Sequence, residues 1–150
     1  MGDWVTLLGY TTETSTGRHI NVSRTPLLPG ENLELTLFWQ VQNATEMDYT
    51  AFVHIVDSND TMLTQQDQPP TAVFLPTSLW RKGQIVADRY RVTVPDVAAL
   101  GTYDIRIGLY DLATLARLPV TQAGVVTGDS VPLTQLVIAL SRMEELQAEE

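Results

Sequence analysis

The chain has 150 residues, is 44% apolar and carries a net charge of −9. That length favours one domain, able to bury about 70% of its unfolded surface without a metal or a staple. The charge argues against nucleic acid and anionic membrane surfaces, which require a dominant basic face. There is no cysteine, so disulfides and thiol catalysis are excluded. Two histidines, His19 and His54, are too few for most zinc sites. No cofactor is expected. No run of about 18 apolar residues occurs, so no direct membrane insertion is expected. The opening "MGDWVTLLGY" lacks the basic-then-apolar order of a signal peptide. Met1 and Gly2 read as a seam, with the domain cut from a longer chain.

The period is two almost throughout. Residues 4–10 and 18–24 give two strands at the front. Next, Leu33, Leu35, Leu37, Trp39 and Val41 share one face, against Asn32, Glu34, Thr36 and Gln40, with Phe38 the exception. That is a half-buried strand, entered through Pro29-Gly30-Glu31. In residues 48–57, Tyr49, Ala51, Val53 and Ile55 alternate with Thr50, Phe52, His54 and Val56. Both faces are largely apolar, which predicts a central strand. "DSND" at 57–60 is a turn, and the polar strand after it belongs at an edge. Three prolines in residues 68–80 make that stretch a long crossover. A strand then runs from about Gln84 to Val94, stopped by Pro95. In it Val86, Tyr90, Val92 and Val94 point inward, and Asp88 shares their face. There Asp88 has to pair with an arginine or accept backbone hydrogens.

After Gly101, Tyr103, Ile105, Ile107 and Leu109 face inward and Asp104, Arg106, Gly108 and Tyr110 outward. Residues 113–130 form an irregular hairpin region, and 131–140 the last strand. Eight or nine short strands with turns between them predict an all-β, antiparallel sandwich with Greek-key wiring. Tyr103, two residues past Gly101, sits where immunoglobulin-like sandwiches anchor a corner through a tyrosine hydroxyl, and Ile105 takes the second cysteine's place. The domain is expected over residues 3–140. Over 141–150 the period changes, and Ser141 and Glu144 have capping-box spacing, so a short helical or frayed tail follows.

Catalytic patterns are missing. No Gly-x-Ser-x-Gly elbow and no Gly-rich loop before a helix occurs. His54 lies mid-strand, where a buried, hydrogen-bonded histidine is expected rather than a base. "DSNDT" lacks the loop length and glycine of a calcium site and reads as a polar turn. The triplets at Asn21 and Asn43 fit a glycosylation acceptor but arise often by chance.

One stretch, "PTSLWRKGQIVADRYRVTVP", holds four of the nine basic residues. Its candidates for contact with a ligand or partner are Trp80, Arg81, Arg89 and Arg91. Trp80 is either a sugar-stacking platform or a plug closing the sandwich, and the plug is preferred. Arg89 and Arg91 form an outward ladder, either a binding face or the partners of acids such as Asp104 on a neighbouring strand. A single lysine, Lys82, against eight arginines is ascribed to compositional bias.

"PGENLELTLFWQ", "DYTAFVHIVD", "PTSLWRKGQIVADRY", "GTYDIRIGLYDLATLARLP" and "GDSVPL" occur in that order. Together they resemble a β-sandwich module of bacterial envelope proteins, often following the membrane spans of glycosyltransferases of the protein-mannosyltransferase type. The likeness runs from about residue 5 to residue 138. Its most specific pieces are Phe52-Val53-His54, Trp80, and Gly108-Leu109-Tyr110-Asp111. The resemblance implies a non-catalytic, extracytoplasmic accessory domain contacting glycan, acceptor or a neighbouring domain. No active residue of that family maps onto this chain. "GTYDI" also resembles one strand pair of a small sandwich proteinase inhibitor, so a protein-interaction module is the alternative. It would use end loops such as that around Val73, Phe74 and Leu75. An outward strand containing Gly108 is a candidate for weak homodimer pairing.

Overall fold

Alternation decides which residues meet. Leu33, Leu35, Leu37, Trp39 and Val41 are all buried, while the residues between them are only half-covered. A computed structural model of the chain describes residues 1–140. The expected tail at 141–150 lies outside the described residues. Nine strands are present among them: β1 (Val5–Thr14), β2 (Asn32–Val41), β3 (Thr50–Val56), β4 (Met62–Gln68), β5 (Ile85–Thr93), β6 (Gly101–Tyr110), β7 (Val120–Gln122), β8 (Val125–Gly128) and β9 (Val131–Ile138). They form one sheet in the order β1-β2-β5 and a second in the order β4-β3-β6-β9, with β7-β8 as a separate hairpin. All strand pairings are antiparallel. The chain changes sheet between β2 and β3, between β4 and β5, and between β5 and β6, which is immunoglobulin-like wiring.

The seam between the sheets is apolar. Leu37, Trp39, Ile107 and Tyr103 are buried there with Val53, Ile55, Ile105 and Leu136. Each fully buried Leu, Ile or Val contributes about 1.5–3 kcal/mol, offsetting the entropy of ordering the strands. Tyr103 Oη donates to the Ala99 carbonyl at 2.6 Å, the corner bond anticipated from "GTYDI". β3 lies between β4 and β6, and β4 is the edge, in line with their sequence patterns.

Asp88 is fully buried and forms no ion pair with an arginine among the described residues. It accepts from Trp39 Nε1 at 3.1 Å, from the Thr71 amide at 2.7 Å and from the Tyr90 hydroxyl. The Thr71 amide comes from the 68–80 crossover, so the crossover is tied to the core through this carboxylate. Burial pushes the Asp88 carboxyl above its ordinary value near 3.8, with the three donors acting against that shift.

Three expectations need correction. Residues 18–24 form no strand. They make one isolated bridge, Glu13 to His19. The Asn21 carbonyl accepts the Arg24 and Thr25 amides, and its side chain accepts the Ser23 amide, so local turn chemistry outcompetes a ladder. Asp104 is not the partner of the arginine ladder. It lies in the four-stranded sheet, whereas β5 pairs with β2 and sets Arg91 opposite Glu34. Finally, β6, the strand that carries Gly108, runs between β3 and β9 and is not an edge strand of its sheet.

Candidate functional site

The four residues singled out in the basic stretch do not converge. Trp80 is 1% exposed, packs against Trp4 with ring centroids 5.8 Å apart, and donates from Nε1 to the Leu75 carbonyl at 2.7 Å. Trp4 in turn stacks on Tyr49 at 5.5 Å. This aromatic cluster leaves the Trp80 ring no free face for a sugar. Arg81 is exposed on the turn before β5, where Gln84 Oε1 accepts its amide. Arg89 and Arg91 point outward from the three-stranded sheet, and Arg91 Nε lies 2.6 Å from Glu34 Oε1.

A convergence does occur on the outer face of the four-stranded sheet. Register aligns Asp67, Phe52 and Gly108 in one row across β4, β3 and β6, and Gln65, His54 and Arg106 in the next. Gly108 is what allows Phe52 to lie flat. A Cβ there would land on the Phe52 ring, and 3.1 Å from the Asp129 carbonyl. Over that ring, 4.4 Å from its centroid, sits the Arg117 guanidinium. Arg117 is brought there by the turn after β6, in which the Asp111 amide donates to the Ala116 carbonyl and the Leu118 amide to the Leu109 carbonyl. Asp129 Oδ1, 3.3 Å from Nη1, holds the guanidinium in place.

Beside this stack lies a hydrogen-bonding group. Tyr110 Oη donates to Asp67 Oδ2 at 3.0 Å. His54 Nε2 is 3.5 Å from Asp67 Oδ1, at the outer limit of hydrogen bonding and an ion pair only when the imidazole is protonated, and it has no hydrogen-bond partner among the described residues although shut from solvent. Burial lowers the His54 imidazole below its ordinary value near 6.5. Asp67 opposes that shift and Arg117 adds to it. Tyr110 is held above its usual value, by burial first and then by Asp67, and stays protonated. Phe52, His54, Gln65, Asp67, Tyr110 and Arg117, with Leu115, line a shallow depression of about 200 Å³.

This depression offers fixed hydrogen-bond donors and acceptors beside the half-buried Tyr110 ring, with the buried Phe52 as its floor. Asp67 keeps lone pairs free, Gln65 both donates and accepts, and Arg117 keeps donors beyond those facing Asp129. No serine lines it, and its one carboxylate has no second acid across the gap, as paired-acid hydrolysis requires. Among the described residues no group of three or more His, Asp or Glu side chains is placed to hold a metal ion. Asp57 Oδ1, in the calcium-like "DSNDT", accepts the Asn59 and Thr61 amides instead. Perturbed titrating groups gathered in a depression are the expected signature of a functional site. The sequence pattern sets Phe52 and His54 on one face of a central strand, with His54 expected buried and hydrogen-bonded, and turns Tyr110 outward, but it does not gather them and gives no sign of Asp67 or Arg117. The signal lay in "FVH" and "GLYD", each carrying alternate outward residues on strands that prove to be neighbours.

No protein-family model matches the chain, and no curated protein is similar to it. Among solved structures the C-terminal domain of Wzt is similar, with a TM-score of 0.60 at 12% identity. The match covers 94% of this chain and 76% of that one. At that identity the likeness is one of fold: the chain is an antiparallel β-sandwich of the kind seen in that domain.

Proposed function

We propose that the chain is a non-catalytic, glycan-binding accessory domain, with its site on the outer face of the four-stranded sheet. The observation that carries this is the Asp67–Tyr110–His54 group beside the Phe52–Arg117 stack. Sugars are bound by planar hydrogen-bonding side chains that reach neighbouring hydroxyls and by aromatic surface that takes their C–H faces. Here Asp67, Gln65 and Arg117 supply the polar groups and the half-buried Tyr110 ring supplies the aromatic surface, while Phe52, 1% exposed, is the packed floor beneath Arg117. The family resemblance in the sequence supports an extracytoplasmic place beside a membrane glycosyltransferase of the envelope. The fold likeness to a domain that is one part of Wzt supports the accessory role. A glycan array probed with the wild-type chain, Asp67→Ala and Tyr110→Ala tests the reading. It expects a glycan signal that falls at least tenfold in both variants. A blank array sinks it and leaves a structural spacer.

A second reading, a protein-interaction or inhibitor-like module, is favoured by one observation. Phe74 is 92% exposed at the tip of the crossover, near the exposed Leu79 in sequence. Exposed aromatic anchors of that kind are what interaction loops use. A protease panel with Phe74→Ser as control decides it: no inhibition by the wild-type chain removes the inhibitor form.

A further inference from the structure

The other outer face carries its own arrangement. Across the three-stranded sheet, register sets Glu13, Glu34 and Arg91 in one row and Thr11, Thr36 and Arg89 in the next. Arg91 is committed to Glu34 at 2.6 Å. Arg89 faces Thr36 and has no ion-pair partner among the described residues. The two rows open into a depression of about 230 Å³, lined by Glu13, Thr14, Glu34, Thr36, Arg89 and Arg91. The turn after β1 walls one side, closed by the Thr14 amide on the Arg18 carbonyl at 2.9 Å.

We propose that this depression is a second site, selective for the carboxylate of an acidic sugar residue. A guanidinium with no partner presents a fork that matches a planar carboxylate in two parallel hydrogen bonds. The flanking Glu13 and Glu34 decide against a phosphate monoester, and the planar carboxylate fits the guanidinium fork better than a tetrahedral sulfate ester of the same single charge. A multiply charged anion would meet two carboxylates for one free cation, whereas a sugar carboxylate brings a single charge. Its ring hydroxyls supply the donors that Glu13 and Glu34 accept, and Thr36 and Thr14 add short hydroxyl contacts. A uronic acid combines these features. The proposal rests on the reading of the chain as a glycan-binding domain and adds the class of sugar, at a place separate from the Asp67 site. The two sheets' outer faces point away from each other, so occupancy at one does not obstruct the other.

The test is amide-shift mapping with oligogalacturonate, oligoglucuronate and the carboxyl-reduced form of each. The expected result is binding to at least one acidic oligomer, tenfold or more tighter than to its reduced form, with shifts centred on Thr36, Arg89 and Glu34. Arg89→Gln abolishes that preference, while Arg24→Gln, which removes the same charge elsewhere on the surface, keeps it. Both arginines are exposed, so both variants fold, which unchanged melting verifies. No preference for either acidic oligomer overturns the assignment, as does a preference that survives Arg89→Gln. Failure of the Asp67 site shows separately, as neutral glycans that leave the Phe52 and Tyr110 amides unmoved.

Discussion

Two aspartates in this molecule each accept a tyrosine hydroxyl, and they do opposite work. Asp88 is sealed between the sheets, with Trp39, Tyr90 and the Thr71 amide filling its oxygens. Asp67 lies on the outer face with its side chain 29% exposed, beside Tyr110 and a His54 that is 12% exposed. The difference teaches how burial sorts one chemistry into two roles. A buried carboxylate with three donors has no capacity left for a ligand, so its network fixes the crossover to the core. A half-open carboxylate with spare lone pairs can exchange water for sugar hydroxyls.

Breaking each network separates the roles. Asp88→Ala leaves three donors unsatisfied in the interior and is expected to destabilise the fold by about 3 kcal/mol. Urea unfolding reads this as a lower midpoint at unchanged slope. A loss below about 1 kcal/mol contradicts the sealed-network account. Gly108→Ala comes next. Its new methyl group forces Phe52 off the sheet, at about 1–3 kcal/mol for overpacking, and carries the Arg117 stack with it. Thermal unfolding together with the Arg117 side-chain NMR signals checks both effects. The smallest effect is expected for Asp67→Ala, under about 1 kcal/mol, since water replaces the carboxylate at a half-open site.

The networks also respond to pH in opposite senses. His54 has a folded value below its ordinary 6.5, so its contribution is full above pH 6.5 and is lost as the pH falls through the folded value. Asp88 has a folded value above its ordinary 3.8, so its contribution is full below 3.8 and is lost as the pH rises through the folded value. Between pH 7 and pH 4 acidification lowers the His54 contribution and raises that of Asp88, so the unfolding free energy of His54→Gln is expected to fall less, or rise more, on acidification than that of the wild-type chain. An unchanged slope in the variant contradicts the His54 contribution.

The layers were legible in the sequence because period-two patterning is a local signal. Leu33 to Val41 and Tyr103 to Leu109 announce their buried faces without help from the rest of the chain. Asp88 was legible as an inward acid for the same reason, though its donors were not, since Thr71 and Trp39 reach it from elsewhere. The Asp67 site was hidden because it depends on pairing. Nothing local says that Gly108 will stand opposite Phe52, or that a turn seven residues past Tyr110 will lay Arg117 over the ring. The basic stretch misled for a related reason. Clustering along the chain is not clustering in space when alternate strand residues take opposite faces and Trp80 turns into the core.

The most direct test is an amide-shift titration of the wild-type chain with neutral oligosaccharides drawn from glycan-array hits. The account predicts saturable shifts confined to Phe52, His54, Asp67, Tyr110 and Arg117, and their loss in Asp67→Ala at unchanged folding. Shifts centred on the Phe74 loop, or saturable binding that Asp67→Ala leaves intact, would contradict it.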